Sequence, residues 1–97
     1  MVVGISVFEL HVPDATSLKE KRKVIKSLIE RIAVRFRVSI LESDLQELHQ
    51  RSEIAVALLG HRQGDVDRVL ERIRSLVDDH GGCYIIHWQP QYLEGIS

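Results

Sequence analysis

The chain contains a single cysteine, and this scarcity excludes two classes of site. With Cys83 alone, neither an intramolecular disulfide nor a multi-cysteine metal motif can form. Free cysteine is among the residue types most often buried, where it behaves as a small hydrophobic side chain. We therefore predict that Cys83 is buried and carries no chemistry.

Long apolar runs are also absent. The longest runs are far too short to span a bilayer, and no basic stretch precedes a long apolar one as it does in a secretory signal. We therefore expect a cytoplasmic protein with no membrane association.

Aromatic residues are few, with two Phe, two Tyr and one Trp. An RNA-recognition motif carries stacking aromatics in its third strand, whereas the corresponding segment here reads IAVALLG. Stacking of bases on the sheet in that mode is excluded. Any nucleic acid that this chain binds is therefore expected to be recognised by its shape and phosphates.

The remaining composition is that of one ordinary globular domain over residues 1–97. The hydrophobic fraction is 44% and the charged fraction is 28%, which argues against disorder. The formal net charge is only -1, yet residues 17–37 hold eight of the 13 lysines and arginines and only two acids. The charge of the molecule is therefore strongly asymmetric.

The apolar periodicity predicts six elements in the order βαββαβ. We expect strands over residues 2–12, 37–44, 53–61 and 83–92, and helices over residues 18–35 and from about Asp65 to the Gly81-Gly82 pair. Ser17 and Glu20 have the spacing of a capping box at the start of the first helix. This order is typical of a ferredoxin-like α+β sandwich, in which an antiparallel sheet of order 4-1-3-2 carries two helices on one face.

The sheet face away from both helices, here called the open face, is predicted to be partly apolar. If Phe8 points toward the helices, alternation along the strand places four residues on the open face, namely Ile5, Val7, Glu9 and His11. The third strand adds either the Ile54 parity or the Ala55 parity. Because an exposed apolar patch usually marks an interface, we predict a homodimer through this face. A small-ligand site on the same face is the alternative.

Four cations in the first helix have the i, i+3, i+4, i+7 spacing of one continuous ridge, here called the basic row: Lys19, Arg22, Lys23 and Lys26. Only Glu30 lies four residues from one of them, in the less favourable order. Unpaired cations on one face attract nucleic-acid backbones, so we predict contact with structured RNA or a ribosomal particle, with Lys21 and Arg35 as secondary candidates. The alternative is an ordinary solvated helix face.

An enzyme is the third hypothesis. Glu9, His11, Glu42 and Asp44 are expected near the ends of the first two strands, where carboxylates and a histidine can do acid–base work. However, the sequence has no glycine-rich phosphate loop and no recognisable nucleophile with its base. The five histidines lack metal-ligand spacing, with His11 expected at one end of the sheet and His61 and His87 toward the other. We therefore predict a non-enzymatic binding module with no metal or other cofactor.

Four segments together resemble the YlxP-like family of small bacterial proteins: ELHVP at 9–13, SLKEKRKVIKSL at 17–28, RFRVSILESD at 35–44 and QRSEIAVAL at 50–58. The most specific element is S-L-K-E-K-R at 17–22, followed by the E-x-D of Glu42 and Asp44. The resemblance implies a ferredoxin-like fold and an unknown function. Members often lie beside genes for translation initiation and ribosome maturation factors, which implies a role linked to RNA or the ribosome.

Overall fold

A computed structural model, which describes residues 1–95, contains the six expected elements. They are β1 (Val2–His11), α1 (Leu18–Arg35), β2 (Ser39–Asp44), β3 (Arg51–Gly60), α2 (Gln63–His80) and β4 (Tyr84–Glu94). The strands form one antiparallel sheet of order β2-β3-β1-β4. The predicted ferredoxin-like α+β architecture is confirmed. Neither helix in the described range is long and apolar enough to cross a membrane.

The two central strands bury one parity and leave the other on the open face. In β1, Phe8 and Leu10 are completely buried against the helices, while the expected open-face residues are only partly buried, namely Ile5, Val7, Glu9 and His11. In β3, Ile54 and Val56 face the core, so Ala55 occupies the open face. The structure thereby decides the alternative that the sequence left open.

The core lies between the sheet and the two helices. From α1 the main contributors are Ile25, Leu28 and Ile32, and α2 contributes its own apolar stripe of Val66, Leu70, Ile73, Leu76 and Val77. Full burial of one such side chain contributes roughly 1.5–3 kcal/mol. Cys83 is also buried, as predicted, and burial followed by the negative charge of Asp78 raises the pKa of its thiol.

The first helix begins with a cap that differs slightly from the predicted capping box. The Ser17 Oγ accepts the backbone N–H of Glu20 at 3.1 Å, as expected. The Glu20 carboxylate, however, accepts from the backbone N–H of Thr16 at 2.7 Å and from the Thr16 hydroxyl at 2.8 Å. The Thr16 N–H and then the Thr16 hydroxyl lower the pKa of Glu20; burial opposes them, and the nearby Lys23 charge adds a weaker lowering effect.

The edge strand β4 is held to α2 by two side-chain contacts. The Tyr92 hydroxyl donates a hydrogen bond to the Asp67 carboxylate. The Trp88 ring packs on Phe8, with ring centroids 5.2 Å apart, and the Arg74 guanidinium lies 5.6 Å from the Trp88 ring centroid. Trp88 is the one tryptophan of the sequence, so its fluorescence reports on this packing.

Replacing Tyr92 with phenylalanine is expected to lower the free energy of unfolding by about 0.5 kcal/mol at neutral pH, a small value because the phenol is partly exposed. The bond to Asp67, then burial, and then the charges of Asp67 and Glu71 raise the pKa of Tyr92 from 10.0 to about 12. The stabilisation is therefore fully present below pH 10 and is lost as the pH rises toward 12. Urea unfolding at neutral and alkaline pH checks this, and an alkaline loss of equal size in both proteins would contradict it.

Candidate nucleic-acid interface

The basic row lies on the solvent side of α1, and all four of its side chains are exposed. Within residues 1–95, none of the four forms an ion pair. Glu30 lies with Arg22 and Lys26 along a groove between α1 and β2, but it too forms no ion pair in that range. The row extends over about 10 Å of helix axis, since each residue adds about 1.5 Å. It presents positive charge that no carboxylate of residues 1–95 pairs with.

Lys21, a secondary candidate for RNA binding, does not lie on the protein surface. Its side chain is completely buried, because Lys21 falls on the face of α1 that also carries Ile25 and Leu28. Its ammonium donates to the Glu42 carboxylate at 3.1 Å and approaches three backbone carbonyl oxygens, those of Leu45 at 2.8 Å, Gln46 at 3.1 Å and Arg51 at 3.2 Å. No donor is left for a phosphate, and water has no access.

The same contact joins two segments that are distant in the sequence. Glu42 also accepts a hydrogen bond from the Ser52 hydroxyl at 2.5 Å. Asp44 accepts the backbone N–H of Leu45 at 2.8 Å, where the turn requires a positive φ of 64°. The S-L-K-E-K-R segment and the E-x-D segment therefore meet at the β2–β3 turn. Lys21, Glu42 and Asp44 have structural roles there.

Arg35, the other secondary candidate, is exposed and lies outside the basic row. It borders a groove of about 700 Å³ between α1 and α2, which is lined by four arginines, Arg31, Arg35, Arg68 and Arg72, and by two acids, Glu71 and Asp79. Sequence reasoning missed three of these arginines. The i, i+4 spacing of Arg68 and Arg72 on α2 was the signal that could have indicated them.

One further contact links the two helices near this groove. The Arg31 Nη1 lies 3.2 Å from the Nδ1 of His80, at the end of α2. Burial, followed by the positive charge of Arg31, lowers the pKa of His80. His80 therefore favours its neutral form, in which a ring nitrogen can accept the arginine N–H.

The residues of the enzyme hypothesis do not converge. Glu9 lies on the open face, where its carboxylate accepts from the Arg51 guanidinium at 2.6 Å. Glu42 lies on the helix side, bonded to Lys21. The placement of His87 was wrong: it pairs with Glu9, at the His11 end of the sheet. Among residues 1–95, no three His, Cys, Asp or Glu side chains are grouped so as to hold a metal ion.

Comparison with known proteins shows the family to which this chain belongs. Residues 3–89 match the family model described as "Protein of unknown function (DUF503)". The "Uncharacterized protein YlxP" of Bacillus subtilis (strain 168) is 32% identical over 77 residues, which cover 79% of this chain and 84% of that relative. The chain belongs to the YlxP-like family. The function of this family is not established, so the match carries no activity to this YlxP-like chain.

A solved structure supports the fold of this YlxP-like protein independently. "De novo designed protein Foldit4" superposes with a TM-score of 0.56, covering 99% of this chain and 100% of the designed one. The two sequences are only 10% identical, so the likeness concerns the fold alone.

Proposed function

We propose that this YlxP-like protein binds structured RNA, free or within a ribosomal particle, through the basic row of α1. The observation that carries the proposal is a division of roles within one helix. Of the five cations between residues 19 and 26, only the buried Lys21 pairs with a carboxylate in the described part of the chain, residues 1–95. A helix whose charges serve stability alone would interleave the two signs. The proposal places the protein in the cytoplasm.

The physical basis of the proposal is counterion release. Each exposed cation that contacts a phosphate displaces condensed counterions, so affinity falls steeply as salt rises. The arginines of the interhelical groove do not continue this row, because Lys26 and Arg35 are nine residues, or two and a half turns, apart and lie on opposite sides of α1. The row itself, about 10 Å long with four cations, favours a ligand with several phosphates, such as a folded RNA, over a single small anion.

The distribution of aromatic side chains supports recognition of shape and phosphates instead of bases. Phe8 is buried, and Trp88 packs against it on the helix side of the sheet. No aromatic residue occurs within the basic row or beside it between residues 18 and 35. Bases consequently have no stacking platform on this surface, and similar affinity for hairpins of different sequence is expected.

The test replaces all four residues of the basic row with glutamine and measures binding to a hairpin RNA of about 16 base pairs, the span of a double-stranded RNA-binding domain. Four phosphate contacts give the wild-type protein a log–log salt slope of roughly -3 to -4, which the variant should lose. Because the four side chains are exposed and unpaired within residues 1–95, the variant is expected to fold, and circular dichroism checks this.

A matched control separates the effect of the basic row on RNA binding from the effect of overall charge. The K26Q variant and an R62Q variant each lose one charge at an exposed site, but only the first changes the basic row. The first is expected to reduce the salt slope by about one, and the second to leave it unchanged. Equal weakening by both variants, or unchanged binding by a folded fourfold variant, would overturn the proposal. Purified small ribosomal subunits provide the particle-bound version of the same comparison.

A further inference from the structure

The open face carries a contiguous apolar patch that nothing within the described chain covers. The strand register assembles it from eight residues, Val3, Ile5, Val7, Leu41, Ala55, Ala57, Leu59 and Leu93. The three leucines are 57%, 67% and 54% exposed, in chain order. Gln89 and Gln91 of β4 border the patch on one side. Soluble monomeric proteins rarely expose apolar patches of this kind, and such a patch usually marks an interaction surface.

The patch has opposite charges at its two ends. Arg37 precedes β2 and lines a shallow depression with Val3 and Leu59 at one end of the face. It is exposed and forms no ion pair within residues 1–95. Glu53 lies at the other end, where its carboxylate accepts only the Ser43 hydroxyl, at 2.8 Å, in the same range. The neighbouring Glu9 is already paired with Arg51.

These two charges cannot meet within one molecule. Ser39 pairs with Ala57, and Arg37, two residues earlier, lines the same depression as Leu59, which is six positions along β3 from Glu53. At about 3.3 Å per residue, the separation is about 20 Å. The midpoint between the charges falls between Ala55 and Ala57, at the centre of the apolar patch. A two-fold axis crossing the strands there would bring each Arg37 near the Glu53 of a second copy.

The area of the face suits such a partner. The four strands have ten, six, ten and eleven residues and lie about 4.8 Å apart, so the face presents about 600 Å² in projection, and side-chain relief makes the accessible area larger. A stable interface of standard size buries about 800 Å² of accessible surface on each partner. Two such faces, packed about 10 Å apart, would bury their aliphatic side chains against each other.

We infer that this protein forms a homodimer in which the open faces of two copies pack with antiparallel strands, sealed at both ends by reciprocal Arg37–Glu53 pairs. The occupant of the patch is a second copy because the face complements itself in both polarity and charge. Both helix layers remain outside, on opposite sides of the dimer. The dimer does not depend on RNA binding, so either proposal can fail alone.

The first test is the mass in solution. Sedimentation velocity at micromolar concentration is expected to give twice the monomer mass of 11.1 kDa. An Ala57→Glu substitution buries a charge at the centre of the interface and should yield the monomer. The control is Ala33→Glu, the same substitution at an exposed site on α1, which should remain dimeric. A wild-type monomer at 100 µM, or an A57E dimer, would overturn the inference and leave the patch to a different partner.

The second test distinguishes the proposed arrangement from other dimers. Arg37→Glu and Glu53→Arg should each raise the dimer dissociation constant about tenfold, because one reversal acts twice across a two-fold axis. The R37E/E53R double variant restores both pairs with exchanged signs and should return to near the wild-type value. Since the two residues are about 20 Å apart in one copy, only pairing between copies produces this rescue. Additive weakening in the double variant would exclude the antiparallel arrangement.

Discussion

Replacing Lys21 with methionine is expected to lower the free energy of unfolding by about 3 to 5 kcal/mol, the usual cost of breaking a buried ion pair by removing one partner. Methionine retains most of the buried volume, so the loss is mainly electrostatic. The Glu42 carboxylate, whose side chain is only 17% exposed, would lose its cation. Leu45, Gln46 and Arg51 would lose the donor that their carbonyl oxygens share.

The exposed row provides a matched control for this substitution. Lys23→Met changes the same residue type in the same helix, but its side chain lies in solvent. Its effect is expected to stay within about 0.5 kcal/mol, as for most surface substitutions. Urea unfolding followed by Trp88 fluorescence measures both variants. If the two lysines were equally tolerant, Lys21 would not be the buried support of the β2–β3 turn.

A double variant tests the mechanism of the loss. In the K21M background, Glu42→Gln removes the uncompensated charge and keeps an acceptor for the Ser52 hydroxyl. Part of the lost stability should therefore return, although E42Q alone is destabilising. Hydrogen exchange should also rise first in the β2–β3 turn of K21M. Strictly additive losses would show that Lys21 and Glu42 act independently.

The contrast between Lys21 and Lys23 shows how much of the structure can be predicted from local sequence. The helix bounds and the order of elements along the chain were predictable because capping residues and apolar periodicity act over a few residues. The direction of the Lys21 side chain was not, because three of its four acceptors are backbone oxygens of the β2–β3 turn and of the first residue of β3, which lie 24 to 30 residues further along the chain. One local signal existed. The apolar stripe of α1 has a gap between Leu18 and Ile25, and Lys21 fills it.

Pairing between strands accounts for the other limits of prediction. Both parities of β3 are apolar, so its sequence left the buried face open. In the structure the larger Ile54 and Val56 fill the core, and the small Ala55 and Ala57 face outward. The placement of His87 was wrong for a simpler reason: β4 runs antiparallel to β1, so the beginning of β4 lies beside the end of β1, and His87 pairs with Glu9. The shift in register that follows Glu9 depends on both strands and leaves no clear mark in either sequence.

Replacing Gly4 with alanine is expected to lower the free energy of unfolding by about 1 to 3 kcal/mol, the usual cost of overpacking a core. Gly4 faces α2, and a Cβ at this position would overlap the Cγ1 of Val66. A Cβ on Gly60 would lie 2.6 Å from the other methyl group, Cγ2. Val66 therefore sits in a notch formed by two glycines, which allows α2 to approach β1 and β3 closely. An added methyl group has to push the first turn of α2 outward.

Two comparisons isolate this steric cause. Gly64→Ala, in the same turn of α2, adds a methyl group with no neighbour within 4 Å, and it should be neutral or stabilising by up to about 1 kcal/mol because alanine favours helix. In a Val66→Ala background the overlapping methyl groups are gone, so adding G4A should cost little beyond V66A itself. Unfolding midpoints of the four variants give the coupling energy between the two sites. If G4A costs as much in the V66A background as alone, strand flexibility rather than the close approach of Val66 explains the glycine.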